Sequence, residues 1–132
     1  MAVDQLEHFT VRCADLERTR DFYAEVLGLR VGPRPPFDFQ GYWLYLDDQP
    51  VVHLVLEAER DDGHEPRAAG SEPLETGALD HIAFRCRDLA ATRAVLKGRG
   101  LDFRERQVPG KPLHQIFVRD PDGIIIELNF RG

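Results

Sequence analysis

The chain lacks the features that mark several large classes of protein. It has no apolar run approaching 18 residues, so the sequence predicts no membrane span. The opening MAVDQLEHF has no basic start followed by an apolar stretch, so we expect no secretory signal. Basic residues are not in excess either: the net charge is −6, and an acidic surface repels nucleic acid. We therefore expect a cytoplasmic protein with neither a membrane nor a nucleic-acid partner.

Cysteine is scarce, which excludes a disulfide framework. The only two cysteines, Cys13 and Cys86, each fall at the end of an apolar strand pattern. Small apolar side chains of this kind are usually buried, and thiols stay reduced in the cytoplasm. We expect two reduced, buried cysteines.

What the chain does contain is ordinary globular material. Of its 132 residues, 42% are hydrophobic and 30% are charged, which suffices for one hydrophobic core. The length is typical of one domain, so the sequence predicts a single domain over residues 1–132.

An internal repeat divides this domain into two modules. LEHFTVRCADLERTR, residues 6–20, and LDHIAFRCRDLAATR, residues 79–93, are identical at eight of fifteen positions at an offset of 73. The module ends also align, VVHLVL with IIELNF, once one residue is gained. We therefore predict module one over about residues 5–58, a linker over about 59–77 and module two over about 78–131.

Each module has the element order β-α-β-β-β. Alternating apolar residues predict strands, Asp15 and Asp88 are typical helix N-caps, and Gly28, Gly98 and Gly100 are typical helix stops. The fold class is therefore α+β, with two βαβββ modules. The predicted strands are Leu6–Cys13, a strand from Leu29, GYWLYL and VVHLVLE in module one, then Leu79–Arg87, Leu101–Val108, His114–Arg119 and IIIELNF in module two.

The strand pattern places four polar side chains on one face of the sheets. Each helix is expected to cover the face that carries Phe9 and Val11, or Ile82 and Phe84, because successive strand residues alternate between faces. His8 and His81 are equivalent in the repeat, and so are His53 and Glu127; each has an apolar neighbour in the chain, and all four lie on the opposite face.

These four residues predict a metal site. A buried glutamate without a partner is costly, and imidazoles with a carboxylate suit Zn²⁺, Ni²⁺, Mn²⁺, Co²⁺ or Fe²⁺. We expect one divalent metal ion held by His8, His81, Glu127 and His53, with a second-shell or proton-transfer role also open for His53. His64 and His114 have no partner in the repeat and receive no metal role.

The sequence resembles the vicinal oxygen chelate superfamily, which includes glyoxalase I, bleomycin-resistance proteins and extradiol dioxygenases. The resemblance lies in LEHFTVRCADLERTRDFYAEVLGL, LDHIAFRC and FVRDPDGIIIELNF. It implies an open, cup-shaped mixed β-sheet with flanking helices around one divalent metal, with ligands from the first, fourth, fifth and eighth strands. His53 departs from glyoxalase I, which is expected to have glutamate there, and the chain is similar to a glyoxalase-like subgroup with histidine.

Three functions remain open. The leading one is a glyoxalase I-like lyase or isomerase that acts on a small oxygen-chelating substrate, with Glu127 or His53 removing a proton beside a carbonyl that the metal polarises. The alternative is an extradiol-type non-haem iron dioxygenase, since His8, His81 and Glu127 form a two-histidine, one-carboxylate set. A further alternative is a non-catalytic small-molecule binding or resistance protein.

Several residues are candidates for substrate contact. Trp43 and Tyr45 share one face of GYWLYL, while Tyr42, Leu44 and Leu46 share the other, so only one set reaches the open side. Family members of this size are often homodimers, and we expect one here, with the site built within one chain or across two. Polar substrate contacts are predicted at Arg12, Arg85 and Gln115.

Overall fold

The computed structural model describes residues 2–59 and 76–131. They belong to two compact units, Met1–Glu72 (unit 1) and Pro73–Gly132 (unit 2), and the boundary falls in the predicted linker. His64 lies outside the described residues. Among the residues described, no helix combines the length and apolar character that a membrane crossing requires.

Unit 1 is a four-stranded mixed sheet with one helix. Its strands run in the order β1-β4-β3-β2, with β1 parallel to β4 and the other pairs antiparallel. The chain then enters a 3₁₀ turn, Glu57–Glu59. The elements are β1 (Phe9–Cys13), α1 (Leu16–Asp21), β2 (Arg30–Gly32), β3 (Gly41–Leu46) and β4 (Gln49–Leu56).

Unit 2 repeats this architecture. Its strand order is β5-β8-β7-β6, again with the first pair parallel and the others antiparallel. The predicted α+β class and the β-α-β-β-β order of both modules are confirmed. The elements are β5 (Ile82–Cys86), α2 (Leu89–Gly98), β6 (Phe103–Gln107), β7 (Leu113–Arg119) and β8 (Ile125–Arg131).

Both helices begin at the predicted caps. The Asp15 carboxylate accepts a hydrogen bond from the backbone N–H of Arg18 at 3.1 Å, and Asp88 accepts one from Ala91 at 3.0 Å. Each bond satisfies an N–H group that the first helical turn leaves free. Gly28 follows the first helical segment with φ of 80°, a conformation that favours glycine.

The first helix does not continue regularly to Leu27 as the sequence predicts. After α1 the residues Phe22–Val26 form a π-helical turn, in which the N–H of Leu27 donates to the carbonyl of Phe22 at 3.1 Å. Two consecutive aromatic side chains, Phe22 and Tyr23, are both buried there, with ring centroids 5.2 Å apart. A regular helix separates consecutive side chains by 100°, so the wider turn allows both rings to enter the core.

The sheet faces are the ones the alternation predicts. In β4, Val52 and Leu54 are fully buried while His53 between them lies on the other face. In β8, Ile126 and Leu128 are buried in the same way around Glu127. We call the face opposite the helix the open face of each unit.

Two of the predicted ligands lie just outside their strands. His8 precedes β1 and His81 precedes β5, so the prediction that both lie in mid-strand is wrong. β1 and β5 are edge strands with one neighbour each, and their pairing starts only at Phe9 and Ile82. The histidine backbones are therefore free of the ladder, and their rings are held by side-chain contacts instead.

Candidate functional site

On the open face of unit 1, three aromatic rings form one stack. The His53 ring lies 3.7 Å from that of His8 and 4.1 Å from that of Trp43, at interplanar angles of 11° and 12°. The register produces this arrangement, because His53 in β4 lies directly opposite Trp43 in β3. A ring held on both sides has little freedom to rotate.

One ring nitrogen of His53 lacks a hydrogen-bond partner among the described residues. This nitrogen is the buried Nε2. Burial first, and the neighbouring His8 second, lower the pKa of His53. The neutral imidazole is the form that binds metals.

On the open face of unit 2, a histidine and a carboxylate lie together. His81 Nε2 is 3.2 Å from Glu127 Oε1, and the Glu127 side chain is only 12% exposed. An imidazole nitrogen and a carboxylate oxygen are both groups that bind divalent metals. The predicted histidine and the predicted carboxylate of module two therefore lie side by side.

A carboxylate precedes each repeat-related histidine and holds its other nitrogen. His8 Nδ1 lies 2.8 Å from Glu7 Oε1, and His81 Nδ1 lies 2.7 Å from Asp80 Oδ1. Such a contact orients the ring and leaves Nε2 to a metal, as is usual for metal-binding histidines. The sequence analysis missed both acids, although L-E-H and L-D-H at the start of each repeat carry the signal.

A relay of amides holds the other oxygen of Glu127. Asn129 Nδ2 donates to Glu127 Oε2 at 2.8 Å, and Gln115 Nε2 donates to Asn129 Oδ1 at 3.0 Å. Arg106 Nε donates to Gln115 Oε1 at 2.7 Å. These residues lie opposite one another on β6, β7 and β8. The sequence analysis missed Asn129 and Arg106, although Asn129 shares the strand face of Glu127.

The His81–Glu127 pair opens into a hollow of about 290 Å³. Phe117 contributes an apolar wall, with its ring 6.3 Å from that of His81 in an edge-to-face orientation. A space of this size holds a small organic molecule beside both ligands. The hollow is lined by Asp80, His81, Arg104, Glu105, Arg106, Phe117, Ile125 and Glu127.

Most of the side chains predicted to contact substrate already contact other residues of the protein. Tyr45 lies beside β2, where its hydroxyl donates to the Pro33 carbonyl at 2.5 Å. Arg12 lies 3.6 Å from the buried carboxylate of Glu57. Gln115 belongs to the relay, and Trp43 to the ring stack.

Arg85 is the exception among these predicted contacts. It is exposed on the open face of unit 2, opposite Asn129. It has no hydrogen bond or ion pair with any residue in the described parts of the chain. Of the five predicted contacts, this side chain is therefore the one with an unused charge.

His114 lies on the helix side of its sheet, away from the open face. Its Nε2 is 2.6 Å from Glu105 Oε1, and Arg93 of α2 is 2.7 Å from the same oxygen. Hydrogen bonds from Arg93 first and His114 second lower the pKa of Glu105. This cluster joins α2 to β6 and β7.

The cysteines contribute no ligand either. Both are free thiols; Cys13 is buried and Cys86 is half-buried. Burial raises the pKa of Cys86, so its thiol stays protonated at neutral pH.

The donor chemistry fits a divalent metal. The candidate atoms are histidine Nε2 and a carboxylate oxygen. Nδ1 of His8 and of His81 is already paired with a carboxylate, and the buried Nε2 of His53 has no partner within the described ranges. Within the described part of each unit, however, no three His, Cys, Asp or Glu side chains are grouped for metal binding. Each unit contains two of the four predicted ligands: His8 and His53 in unit 1, and His81 and Glu127 in unit 2.

Comparison with known proteins places this geometry in a family. Residues 5–128 match the profile of the Glyoxalase/Bleomycin resistance protein/Dioxygenase superfamily. The chain is 29% identical to Glyoxylase I 4 of Arabidopsis thaliana, across 93% of this chain and 68% of that protein. It is 30% identical to the probable lactoylglutathione lyase of Vibrio cholerae, across 97% and 91%. It spans 48% and 44% of two yeast relatives, a lactoylglutathione lyase and a glyoxalase I.

The fold comparison agrees. A crystal structure of a putative glyoxalase family protein from Bacillus anthracis matches with a TM-score of 0.71, covering all of this chain and 98% of that one at 19% identity. The identity is low, so this likeness concerns the fold. On the strength of the profile match, the chain belongs to the Glyoxalase/Bleomycin resistance protein/Dioxygenase superfamily.

Proposed function

We propose that the protein is a divalent-metal-dependent lyase or isomerase of the glyoxalase type. The observation that carries the proposal is the His81–Glu127 pair, 3.2 Å apart at the edge of a small hollow and held from behind by Asp80 and the amide relay. The lactoylglutathione lyases among the relatives support the reaction class.

The two half-sites are proposed to complete one metal centre. His8 and His53 come from unit 1, and His81 and Glu127 come from unit 2. The bound cation would act as a Lewis acid that withdraws electron density from substrate oxygens on neighbouring carbons.

Glu127 is the proposed base. In a hemithioacetal, the carbon that bears sulfur and hydroxyl loses its proton to a Glu127 oxygen. Glu127 then returns that proton to the neighbouring carbon, which was the carbonyl carbon, while the hydroxyl proton moves from the oxygen of the first carbon to the oxygen of the second. The product is a 2-hydroxy thioester of the same composition. Asn129 supports the exchange because its N–H bond to Oε2 keeps the carboxylate plane in place while the other oxygen accepts the proton.

His53 is assigned the role of ligand. Its ring is stacked between those of His8 and Trp43, which prevents the movement that a shuttling base requires. Its lowered pKa keeps it neutral, and its buried Nε2 needs a partner. Glu127, at the edge of the hollow, is better placed to contact substrate.

Metal analysis combined with turnover tests the proposal. The native protein and the Glu127→Gln variant would be loaded with Zn²⁺, Ni²⁺, Mn²⁺ or Co²⁺, and isomerisation of hemithioacetals and 2-oxo thioesters would be followed. We expect one metal ion per chain and turnover only in the native protein. Metal binding without turnover of either substrate class would contradict the lyase assignment.

The same preparations decide the remaining questions of class and assembly. Catechol ring cleavage after anaerobic loading with Fe(II) would replace the lyase with the dioxygenase. The absence of any metal binding would favour a non-catalytic binding protein. We propose that the protein is cytoplasmic and forms a homodimer. Light scattering should therefore give twice the chain mass of 15.1 kDa, and a value equal to the chain mass would contradict the dimer.

A further inference from the structure

Two arginines on one edge strand of unit 2 share a single aromatic ring. The guanidinium carbons of Arg104 and Arg106 lie 5.6 Å and 5.5 Å from the centre of the Phe117 ring. The intervening Glu105 lies toward the helix side, where it binds Arg93 and His114. Two positive charges are thus brought together on the open face with no carboxylate between them.

These charges are only partly used within the protein. Arg106 donates through Nε to Gln115. Arg104 is exposed and makes no hydrogen bond or ion pair within the described ranges, so its fork of donors is free. Contact with an aromatic face stabilises a guanidinium group without consuming those donors. Two like charges beside one ring repel each other, and an anion that contacts both relieves the repulsion.

Both arginines line the hollow that also contains His81 and Glu127. We propose that Arg104 and Arg106 bind an anionic group of the substrate, a carboxylate or phosphoryl oxyanion, while Phe117 packs on the apolar carbon beside it. The inference rests on the proposed function in one respect, that the substrate occupies this hollow. It defines the substrate class: a molecule whose reacting carbon and anionic end are both small enough to fit there.

The equivalent position of unit 1 shows whether the shared fold by itself requires an arginine at position 104. The position equivalent to Arg104 is Gly32, since Gly32 lies opposite Trp43 as Arg104 lies opposite Phe117. A Cβ atom at Gly32 would approach the Tyr45 ring to 2.6 Å, so that position holds no side chain at all. The paired cations are a feature of unit 2 and do not follow from the shared scaffold.

The two arginines have separable roles. Arg106 is linked through Gln115 and Asn129 to Glu127, so an anion on Arg106 acts on the position of the base. Arg104 has no such link and serves only to bind. Arg104→Gln is therefore the cleaner test, with Arg87→Gln as the matched control. Arg87 is an equally exposed arginine of unit 2 that lines a different hollow, beside Cys86 and Pro112.

The experiment compares benzoate with benzamide, a neutral molecule of nearly the same shape. Both are titrated by NMR into the full-length protein with EDTA present, so binding depends on neither metal nor turnover. We expect benzoate to bind about tenfold tighter than benzamide, because charge-assisted hydrogen bonds are the stronger ones. Arg104→Gln should abolish this preference, and Arg87→Gln should retain it. Phenylphosphonate serves as a second anion that separates a phosphoryl from a carboxylate preference.

Each outcome has a separate meaning for the two proposals. Equal affinity for benzoate and benzamide in the native protein overturns the anion site, as does a preference that Arg104→Gln leaves intact or that Arg87→Gln also removes. None of these results bears on hemithioacetal turnover. Conversely, a preference lost only in Arg104→Gln supports the anion site even if the protein turns over no thioester.

Discussion

The two units share one topology and differ on their open faces. Register identifies the equivalent positions: Trp43 lies opposite His53 in unit 1, as Phe117 lies opposite Glu127 in unit 2. The neighbouring pair on the same face is Gly41 and Val55 in unit 1. It corresponds to Gln115 and Asn129 in unit 2, which belong to the amide relay. The open face of unit 1 is therefore aromatic and apolar around its histidines, whereas that of unit 2 is built from charges and amides.

The core-facing positions differ far less. Val52 and Leu54 correspond to Ile126 and Leu128, and all four are buried. Close packing restricts these positions to apolar side chains of similar volume, whichever unit they belong to. The open face has no such restriction. The comparison shows that the core-facing positions of the two units are alike because they must pack, whereas the open faces differ. Unit 1 has stacked imidazole rings on its open face, and unit 2 has a carboxylate held by hydrogen bonds.

The largest effect is expected from removing the carboxylate of unit 2. Glu127→Gln keeps the side-chain shape but removes both the proposed base and a proposed anionic ligand, so turnover should fall by about 10²–10⁴-fold. Asp102→Asn, at an exposed carboxylate of the same unit that does not line the His81–Glu127 hollow, is the control and should retain activity. Steady-state kinetics with circular dichroism checks both. Comparable loss in the two variants would assign the effect to unit 2 as a whole and not to the open face.

Removing the imidazole of His53 tests whether a proposed ligand of unit 1 contributes to metal binding. If His53 binds the metal directly, His53→Ala should weaken metal binding by more than the roughly 10–100-fold that loss of a group hydrogen-bonded to a ligand costs. His114→Ala should leave the affinity unchanged. Competition titration with a chelating indicator measures both constants. If His53→Ala binds as tightly as the native protein, unit 2 binds metal alone and the shared centre is wrong.

The carboxylates of Glu7 and Asp80 contact Nδ1 of His8 and His81, and removing either one tests whether that contact supports metal binding in both units. Glu7→Gln and Asp80→Asn each lose the charge that orients a histidine ring. We expect each to weaken metal binding by about 10–100-fold and by similar amounts. The same titration applies. A loss confined to Asp80→Asn would restrict the arrangement to unit 2.

The amide relay should matter in only one unit. Asn129→Ala removes the donor to Glu127 Oε2, and a hydrogen bond to a charged group is worth enough to lower kcat by about tenfold. Val55→Ala, at the equivalent position of unit 1, touches no base and should leave kcat within about twofold. Metal content should stay at the native level in both. Equal effects on kcat would show that the relay has no positioning role.

The smallest effect concerns stability on the helix side of unit 2. The pKa of Glu105 is lowered in the folded state, so at acidic pH the unfolded chain takes up a proton that the folded protein does not. This stabilisation is present above the ordinary glutamate pKa and is lost as pH falls through the lowered one. Thermal melts from pH 7 to pH 3 should therefore drop less steeply in Glu105→Gln. Parallel curves would exclude the contribution.

Much of the fold and part of the site could be predicted from single residues. The cap residues Asp15 and Asp88 act locally, through hydrogen bonds three residues along the chain, so the sequence is sufficient to identify them. The face of His53 and of Glu127 follows from strict alternation. The wider turn at Phe22 could not be predicted, because it depends on how two rings fit the core.

By itself the sequence determined the doubled β-α-β-β-β plan, the buried faces and the side of each sheet on which the histidines and glutamate lie. The reason is that periodicity and capping are properties of neighbouring residues. The tertiary structure alone decided which groups touch: the ring stack on His53, the relay from Arg106 to Glu127, and the two arginines over Phe117. Those contacts cross between strands, and their distances depend on a register that alternation leaves undetermined.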